Sequence, residues 1–356
     1  MRGGSPAGAG SCENKKSAFF RLVDLLNREE IRYAMVGNTD EYPDRIGSDV
    51  DIVTDRAGME KFHHAVWNLE ADGLRVVQRF RHEITAFYYI LAFKTRDDGW
   101  DFVQPDICTD YFRRAVKLLD AGPMLARSRP KQCPDCPGGE FRVLSPADEF
   151  VYYFLKKIGK EKPLTESQFR HLREVFALDP EGCRGRMAPF GRAVRSAVSA
   201  FEAGDASRLS ISIPEIKRDI LSSGVLPHPV RFRDSLRKID RVLKPTGIVV
   251  AFDGDGGETG KTVENLHRAL AGAFRRHVDF DSRRNPGPRA VFAAKASSTL
   301  VSLRGKPGAG LRPFVDLFLP GGIAPTTAVE TVLDFAAARA KRRYRPRGAT
   351  FQPVTQ

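Results

Sequence analysis

At 356 residues the chain is longer than one hydrophobic core usually serves, so two domains are expected. Its 42% apolar and 28% charged residues are those of an ordinary globular protein and exclude long disorder away from the ends. The formal charge of +13 lies almost wholly in the stretch from Pro227 onward, with 23 Lys and Arg against 11 Asp and Glu. That asymmetry points to a polyanionic partner for the second half, whether a phosphorylated small molecule, a nucleic acid or an anionic membrane surface.

Residues 1–16 are rich in Gly, Ser and Ala and lack the apolar centre of a secretory signal. No later run of about 18 apolar residues would span a bilayer, and a cytoplasmic location is expected. From Ser17 to Asn27, residues Phe19, Phe20, Val23 and Leu26 share one helical face. Ile31 to Val36 then alternates as a strand ending at Gly37, and a second short strand follows at Val50 to Thr54. Gly58 to Leu69 reads as a helix, with His63 and His64 as surface residues that diverge by about 100 degrees. Three β-rich runs follow, Leu74 to Phe80, Ile84 to Phe93 and Trp100 to Ile107. The second is apolar on both faces and is expected inside the sheet.

After Tyr111 the pattern turns helical. Ser145-Pro-Ala-Asp148 is a helix start, with Pro at the first position and an acid three residues after the cap, leading into Glu149 to Lys157. Further helices are expected at Ser167 to Phe176, Gly191 to Glu202, Ile213 to Ser222 and Phe232 to Leu243. The five cysteines are too few and too scattered for a disulfide framework. Cys133 and Cys136 have the spacing of half a zinc site, but no second pair follows, and a tight Pro-Gly turn is the better reading. Gly247 to Phe252 is a buried strand, followed by a glycine-rich turn and a helix from about Lys261 to Arg275. Phe314 to Leu319 reads as another strand, and Thr326 to about Arg343 as the last helix.

Two segments carry chemistry. In Gly47-Ser48-Asp49-Val50-Asp51, two carboxylates separated by one residue on a strand point to the same side. Held that close they repel each other, and magnesium, which favours oxygen ligands and arrives with nucleotide phosphates, would relieve the repulsion. In Gly254-Asp255-Gly256-Gly257-Glu258-Thr259-Gly260-Lys261-Thr262, a glycine-rich loop between strand and helix would offer backbone amides to phosphate. Lys261 would meet the β and γ phosphates of ATP or another nucleoside triphosphate, and Thr262 would ligate magnesium. Gly254 stands one residue early for the usual spacing.

The first segment, with its preceding helix and its strand ending in Gly37, resembles the nucleotidyltransferase fold of the DNA polymerase beta superfamily over roughly Ser17 to Leu119. The resemblance implies transfer of a nucleoside monophosphate, with Gly37, Gly47 and Ser48 at the nucleotide. Asp49, Asp51 and a third carboxylate, Asp106 or alternatively Asp101, would hold magnesium. At Gly37-Asn38 the family usually shows Gly-Gly or Gly-Ser. The second segment resembles thymidylate kinases from Gly247 to about Phe274, in particular thymidylate-kinase-like proteins with an N-terminal nucleotidyltransferase-like region that occur with polysaccharide biosynthesis. Those kinases use an Asp-Arg pair at the end of a later strand and an arginine-bearing lid. Asp281-Ser-Arg283 is a poor substitute for the pair, and the basic cluster Arg339 to Arg345 would be either the lid or a solvated tail.

The expected architecture is α/β. A mixed-sheet nucleotidyltransferase-like domain spans 17–120, a helical region and linker 121–245, and a P-loop domain with a parallel sheet 246–345, between an N-terminal tail of 1–16 and a C-terminal tail of 346–356. The function expected is that of an ATP-binding transferase of phosphorylated compounds, with an unidentified phosphorylated or sugar acceptor. The alternatives are a nucleotide-binding scaffold with decayed sites and a nucleic-acid-modifying protein.

Overall fold

The computed structural model describes residues 14–47, 49–113, 116–133, 139–159, 164–222, 228–280 and 286–345. It is an α/β protein with one mixed sheet and one parallel sheet. Helix α1 (Lys15–Arg28) starts at Asn14, whose side chain accepts from the Ser17 amide. There follow β1 (Tyr33–Met35), β2 (Val50–Thr54) and α2 (Arg56–Ala65), which tightens into a 3-10 turn, Val66–Glu70. Strands β3 (Arg75–Arg81), β4 (Ala86–Lys94), β5 (Trp100–Val103) and β6 (Pro105–Cys108) come next, then a ribbon, β7 (Tyr111–Arg113) with β8 (Val116–Leu119). After α3 (Ala121–Ala126) come β9 (Arg129–Gln132) and β10 (Glu140–Val143).

The first sheet runs β3-β4-β6-β2-β1-β10-β9, with β5 paired to β4. As expected, β4 lies inside it. The run Trp100 to Ile107 is two strands, because Gln104 separates the part that pairs β4 from the part that also pairs β2. The expectation of helix after Tyr111 is corrected: β10 joins β1 in parallel and β9 closes that edge, so the sheet continues well past residue 120. These two strands are short and largely polar, which suits an edge and hides them from a search for apolar periodicity. Cys133 is buried and forms no disulfide among the described residues; Cys136 lies outside them.

Alternation along the strands assigns their two faces. Tyr33, Met35, Ile52, Tyr89, Leu91 and Phe93 pack with α1 and α2 on one side. The opposite side is shared. Ala34, Val36, Val53, Ala86 and Cys108 meet a helical layer, α4 (Pro146–Ile158), α5 (Glu166–Leu178), α6 (Pro180–Met187), α7 (Arg192–Ala203) and α8 (Ala206–Ser222). Val77, Ile90, Ala92 and Phe102 meet the C-terminal module. His63 is corrected from a surface residue: its Nδ1 lies 2.5 Å from the Tyr89 hydroxyl, and burial next to Arg79 and His64 drives its pKa down to about 3.

Helix α9 (His228–Leu243) leads into the module of β11 (Ile248–Asp253), α10 (Gly257–Ala269), β12 (Arg276–Phe280), α11 (Pro288–Ala296), β13 (Thr299–Arg304), β14 (Leu317–Pro320) and α12 (Pro325–Tyr344). Its sheet is wholly parallel in the order β12-β13-β11-β14. The expected helix from Lys261 in fact begins a turn earlier, at Gly257, and ends at Ala269. Arg339 belongs neither to a lid nor to a solvated tail. It is buried on α12 and donates to the carbonyls of Gly247 and Thr246, at 3.0 and 2.6 Å. No helix among the described residues is long and apolar enough to cross a membrane.

Candidate active site

Asp51 on β2 and Asp106 on β6 are register partners in a parallel pair, and Asp49 precedes β2 by one residue. Asp51 and Asp106 project from the sheet face that carries Val53 and Cys108, two residues further along their strands. One carboxylate oxygen of each of the three lies within 4.8 Å of the other two. Asp101 is elsewhere, on β5 in an ion pair of 3.5 Å with Lys15, so Asp106 is the third carboxylate of the cluster.

The backbone around the trio is tied down. The Val50 amide donates to the Gln104 carbonyl at 2.9 Å, the Val36 amide to the Asp51 carbonyl at 3.0 Å, and the Tyr42 hydroxyl to the Asp49 carbonyl at 3.2 Å. Gly37 has a φ of +95° in the left-handed region, and a Cβ there would stand 3.7 Å from Asp51 Oδ2. Gly47 is exposed at the approach to the cluster, and Ser48 lies outside the described residues.

Three residues of the helical layer complete the site and were not anticipated. Lys156 on α4 bonds through its ammonium to Asp51. Two turns earlier on the same helix, Glu149 accepts from the Gly37 amide at 3.2 Å. His171 on α5 lies between Glu149 and Asp40, at 3.5 and 3.4 Å. A Glu and a Lys seven residues apart on one helix were the available signal, since that spacing puts both on one face.

Burial raises the pKa of Asp51, and Lys156 offsets this only in part. Asp106 is pushed well above the carboxylate range by burial and by the Asp51 charge. Burial lowers the Lys156 ammonium, but Asp51, Asp106 and Asp49 outweigh it and leave a net rise. Asp106 Oδ1 is buried with no hydrogen-bond partner among the described residues, while Oδ2 faces His82 Nε2 at 3.4 Å. A convergent set of hard oxygen donors with an orphaned acceptor fits a magnesium ion held by Asp49, Asp51 and Asp106.

Asp49 and Asp106 of the trio line a cleft of about 870 Å³, together with Phe80, Tyr88, Gln104 and Arg275. It therefore lies between the first sheet and the C-terminal module.

The second expected site is built differently. Only Gly254, Asp255 and Gly256 separate β11 from α10, so Gly257, Gly260, Lys261 and Thr262 all lie in the helix. The Gly260 amide donates to the Gly256 carbonyl at 3.1 Å, and the Thr262 hydroxyl donates to the Ile323 carbonyl at 3.3 Å. Lys261 is exposed on the second turn. Gly254, at φ +149°, closes against the next loop, where the Gly305 amide donates to its carbonyl at 2.9 Å. Arg304, at the end of β13, lies against Gly260 and holds Asp279 of β12 through two contacts of 3.1 and 3.0 Å. An acid-arginine pair thus stands beside the loop, with the acid supplied by the neighbouring strand. Asp281 and Arg283 lie outside the described residues.

No protein-family model matches the chain, and no curated protein matches it.

Proposed function

We propose that the chain is a magnesium-dependent nucleotidyltransferase, with Asp49, Asp51 and Asp106 as its catalytic carboxylates. The observation that supports this most directly is the register pairing of Asp51 with Asp106, which with Asp49 gathers three carboxylates at a cleft of about 870 Å³. Magnesium bound there would neutralise the phosphates and polarise the α-phosphorus. Lys156 is placed to trade its bond to Asp51 for a triphosphate oxygen, and the left-handed Gly37 lets the nucleotide approach the backbone beside Asp51. The acceptor enters from the side of Asp106 and His82.

A second reading places ATP on the C-terminal module, acting as a phosphotransferase or as a scaffold. It rests on the sheet order second-third-first-fourth, the glycine-rich turn after the first of these strands, and Arg304 with Asp279 beside it. Open parallel sheets bind ligands at the carboxyl ends of their strands, where the order reverses. Against it stand the second-turn position of Lys261 and the engagement of the Gly260 amide and the Thr262 hydroxyl within the fold.

Calorimetric titration of the full chain with a manganese nucleoside triphosphate separates the two. The first reading expects binding to be lost in Asp49→Asn and Asp51→Asn and kept in Lys261→Ala. The reverse pattern would move the nucleotide to the second module.

A further inference from the structure

The carboxylates account for one end of the cleft. The rest of its wall comes from β3, β4, β5 and the corner between α10 and β12. That corner is held firmly: Gln104 donates to the Gly272 carbonyl, Gln78 donates to the Ala273 carbonyl at 2.8 Å, and Phe102 packs against Gly272.

Gln78 is 2% exposed. Its Nε2 is committed to a carbonyl, which only accepts, so the other atom of the amide is the oxygen. That oxygen, Oε1, is buried on a cleft-lining side chain and has no hydrogen-bond partner among the described residues. An acceptor left unpaired in a buried setting is costly, so an occupant with a hydroxyl to donate is favoured. Beside it Phe80 and Tyr88 present rings with centroids 5.0 Å apart, a surface for the apolar face of a ring. Arg268 and Arg275 of the corner also line the cleft, and Arg268 shares its charge with Glu264 at 2.8 Å. The cleft therefore has acids at the end formed by the first sheet and arginines at the end formed by the second module. From Asp106 to Trp100 it follows the chain for at most about 20 Å, taken at about 3.3 Å per residue, which leaves room for an acceptor beside the nucleotide.

Resting on the nucleotidyltransferase reading, we propose that the α10–β12 corner forms the acceptor pocket of the carboxylate site, and that the acceptor is a hydroxyl-bearing ring carrying a phosphate. The ring lies on Phe80 and Tyr88, a hydroxyl donates to Gln78 Oε1, and the phosphate meets Arg268 and Arg275. In the transfer, a second acceptor hydroxyl near Asp106 forms a bond to the α-phosphorus while the bond to the bridging oxygen breaks. Pyrophosphate leaves with the electron pair, and the displaced proton passes to solvent.

The test is calorimetric binding to the full chain of glucose 1-phosphate, ribose 5-phosphate, uridine 5′-monophosphate and, as control, glucose. Expected is binding of a phosphorylated ring at least tenfold tighter than of glucose. Affinity should fall at least tenfold in the Arg268→Ala, Arg275→Ala double variant, with unchanged circular dichroism and melting, and recover in part when both are Lys. The uridine compound against the sugar phosphates tells whether a base or a sugar occupies the aromatic wall. Absence of binding by every phosphorylated probe, or equal binding by the double variant, overturns the proposal. If the wild type holds a phosphorylated ring but no manganese nucleotide, the nucleotidyltransferase reading fails and the ligand class stands.

Discussion

Asp51 and Asp106 face each other across the parallel strands β2 and β6, so both carboxylates leave the sheet on the same face with no residue between them. Burial raises the pKa of both, and a like charge adds to it, that of Asp49 at Asp51 and that of Asp51 at Asp106. A bound divalent cation removes that repulsion. Manganese at about a hundredfold its Kd should stabilise the wild type by roughly 2.7 kcal/mol. Asp106→Asn should abolish this gain while leaving the metal-free protein as stable as the wild type or more so. Melting curves with and without manganese check both; a variant still stabilised by the metal would remove Asp106 from the site.

Lys156 neutralises Asp51 in the absence of metal. Its removal in Lys156→Met strands a buried carboxylate, at a cost of roughly 3 kcal/mol. Because a cation would take over the same charge, the loss should shrink when manganese is present. Denaturant titrations in the two conditions measure the difference, and an equal loss in both would mean that lysine and metal do not share Asp51.

His171 sits between Asp40 and Glu149 with its ring edge-on to Tyr153 at 4.8 Å. Burial alone would lower its pKa, but the two carboxylates prevail and hold it up at about 9. A histidine whose folded value exceeds its ordinary 6.5 contributes its stability in full below about pH 6.5 and loses it as pH rises through 9. Between those limits the wild type should lose about 2 kcal/mol, allowing for solvent screening, that His171→Gln does not lose. Stability measured at pH 6 and pH 9.5 for both proteins gives the comparison.

Arg339 separates what the sequence can reveal from what it cannot. In the chain it stands among five other basic residues from Lys341 to Arg347 and reads as part of a charge run. In the fold, the i, i+3, i+4 pattern of Val332, Leu333, Ala336 and Ala340 turns it inward, onto the carbonyls that precede β11. Arg339→Ala should cost about 2 to 4 kcal/mol through the orphaned carbonyls and lost packing, while the exposed Arg342→Ala should change stability by less than about 0.5 kcal/mol and Arg343→Ala, which gives up an exposed bond to the Pro245 carbonyl at 2.8 Å, by about 0.5 to 1 kcal/mol. Thermal melts of the three variants decide this, and a large effect at Arg342 would return the cluster to a structural or lid role.

The carboxylate pair could be read from the sequence because side chains on a strand repeat every two residues, so Asp49 and Asp51 had to share a face. Asp106 could be named only as one of two candidates, since strand register is not written in local spacing. Lys156, Glu149 and His171 stayed hidden because the helices that bring them to β1 and β2 are over a hundred residues away in the chain. In the second half, β12 alternates weakly and is half exposed, and without it the place of Arg304 at the end of the adjacent strand could not be seen.

Gly272 joins the two halves. A Cβ at this position would stand 2.5 Å from Phe102 Cδ2, a distance that forces either the ring or the turn to move. The same turn offers its carbonyls to Gln104 and Gln78, so a shift would loosen the one wall of the cleft that the second module provides. Gly272→Ala should therefore destabilise the protein by roughly 1 to 3 kcal/mol, as overpacking does. It should also weaken phosphorylated-ring binding more than metal binding, because Asp49, Asp51 and Asp106 rest on the first sheet alone. Calorimetry with manganese and with glucose 1-phosphate on the variant tests the separation, and a parallel loss of both would mean that the two halves hold the carboxylates jointly.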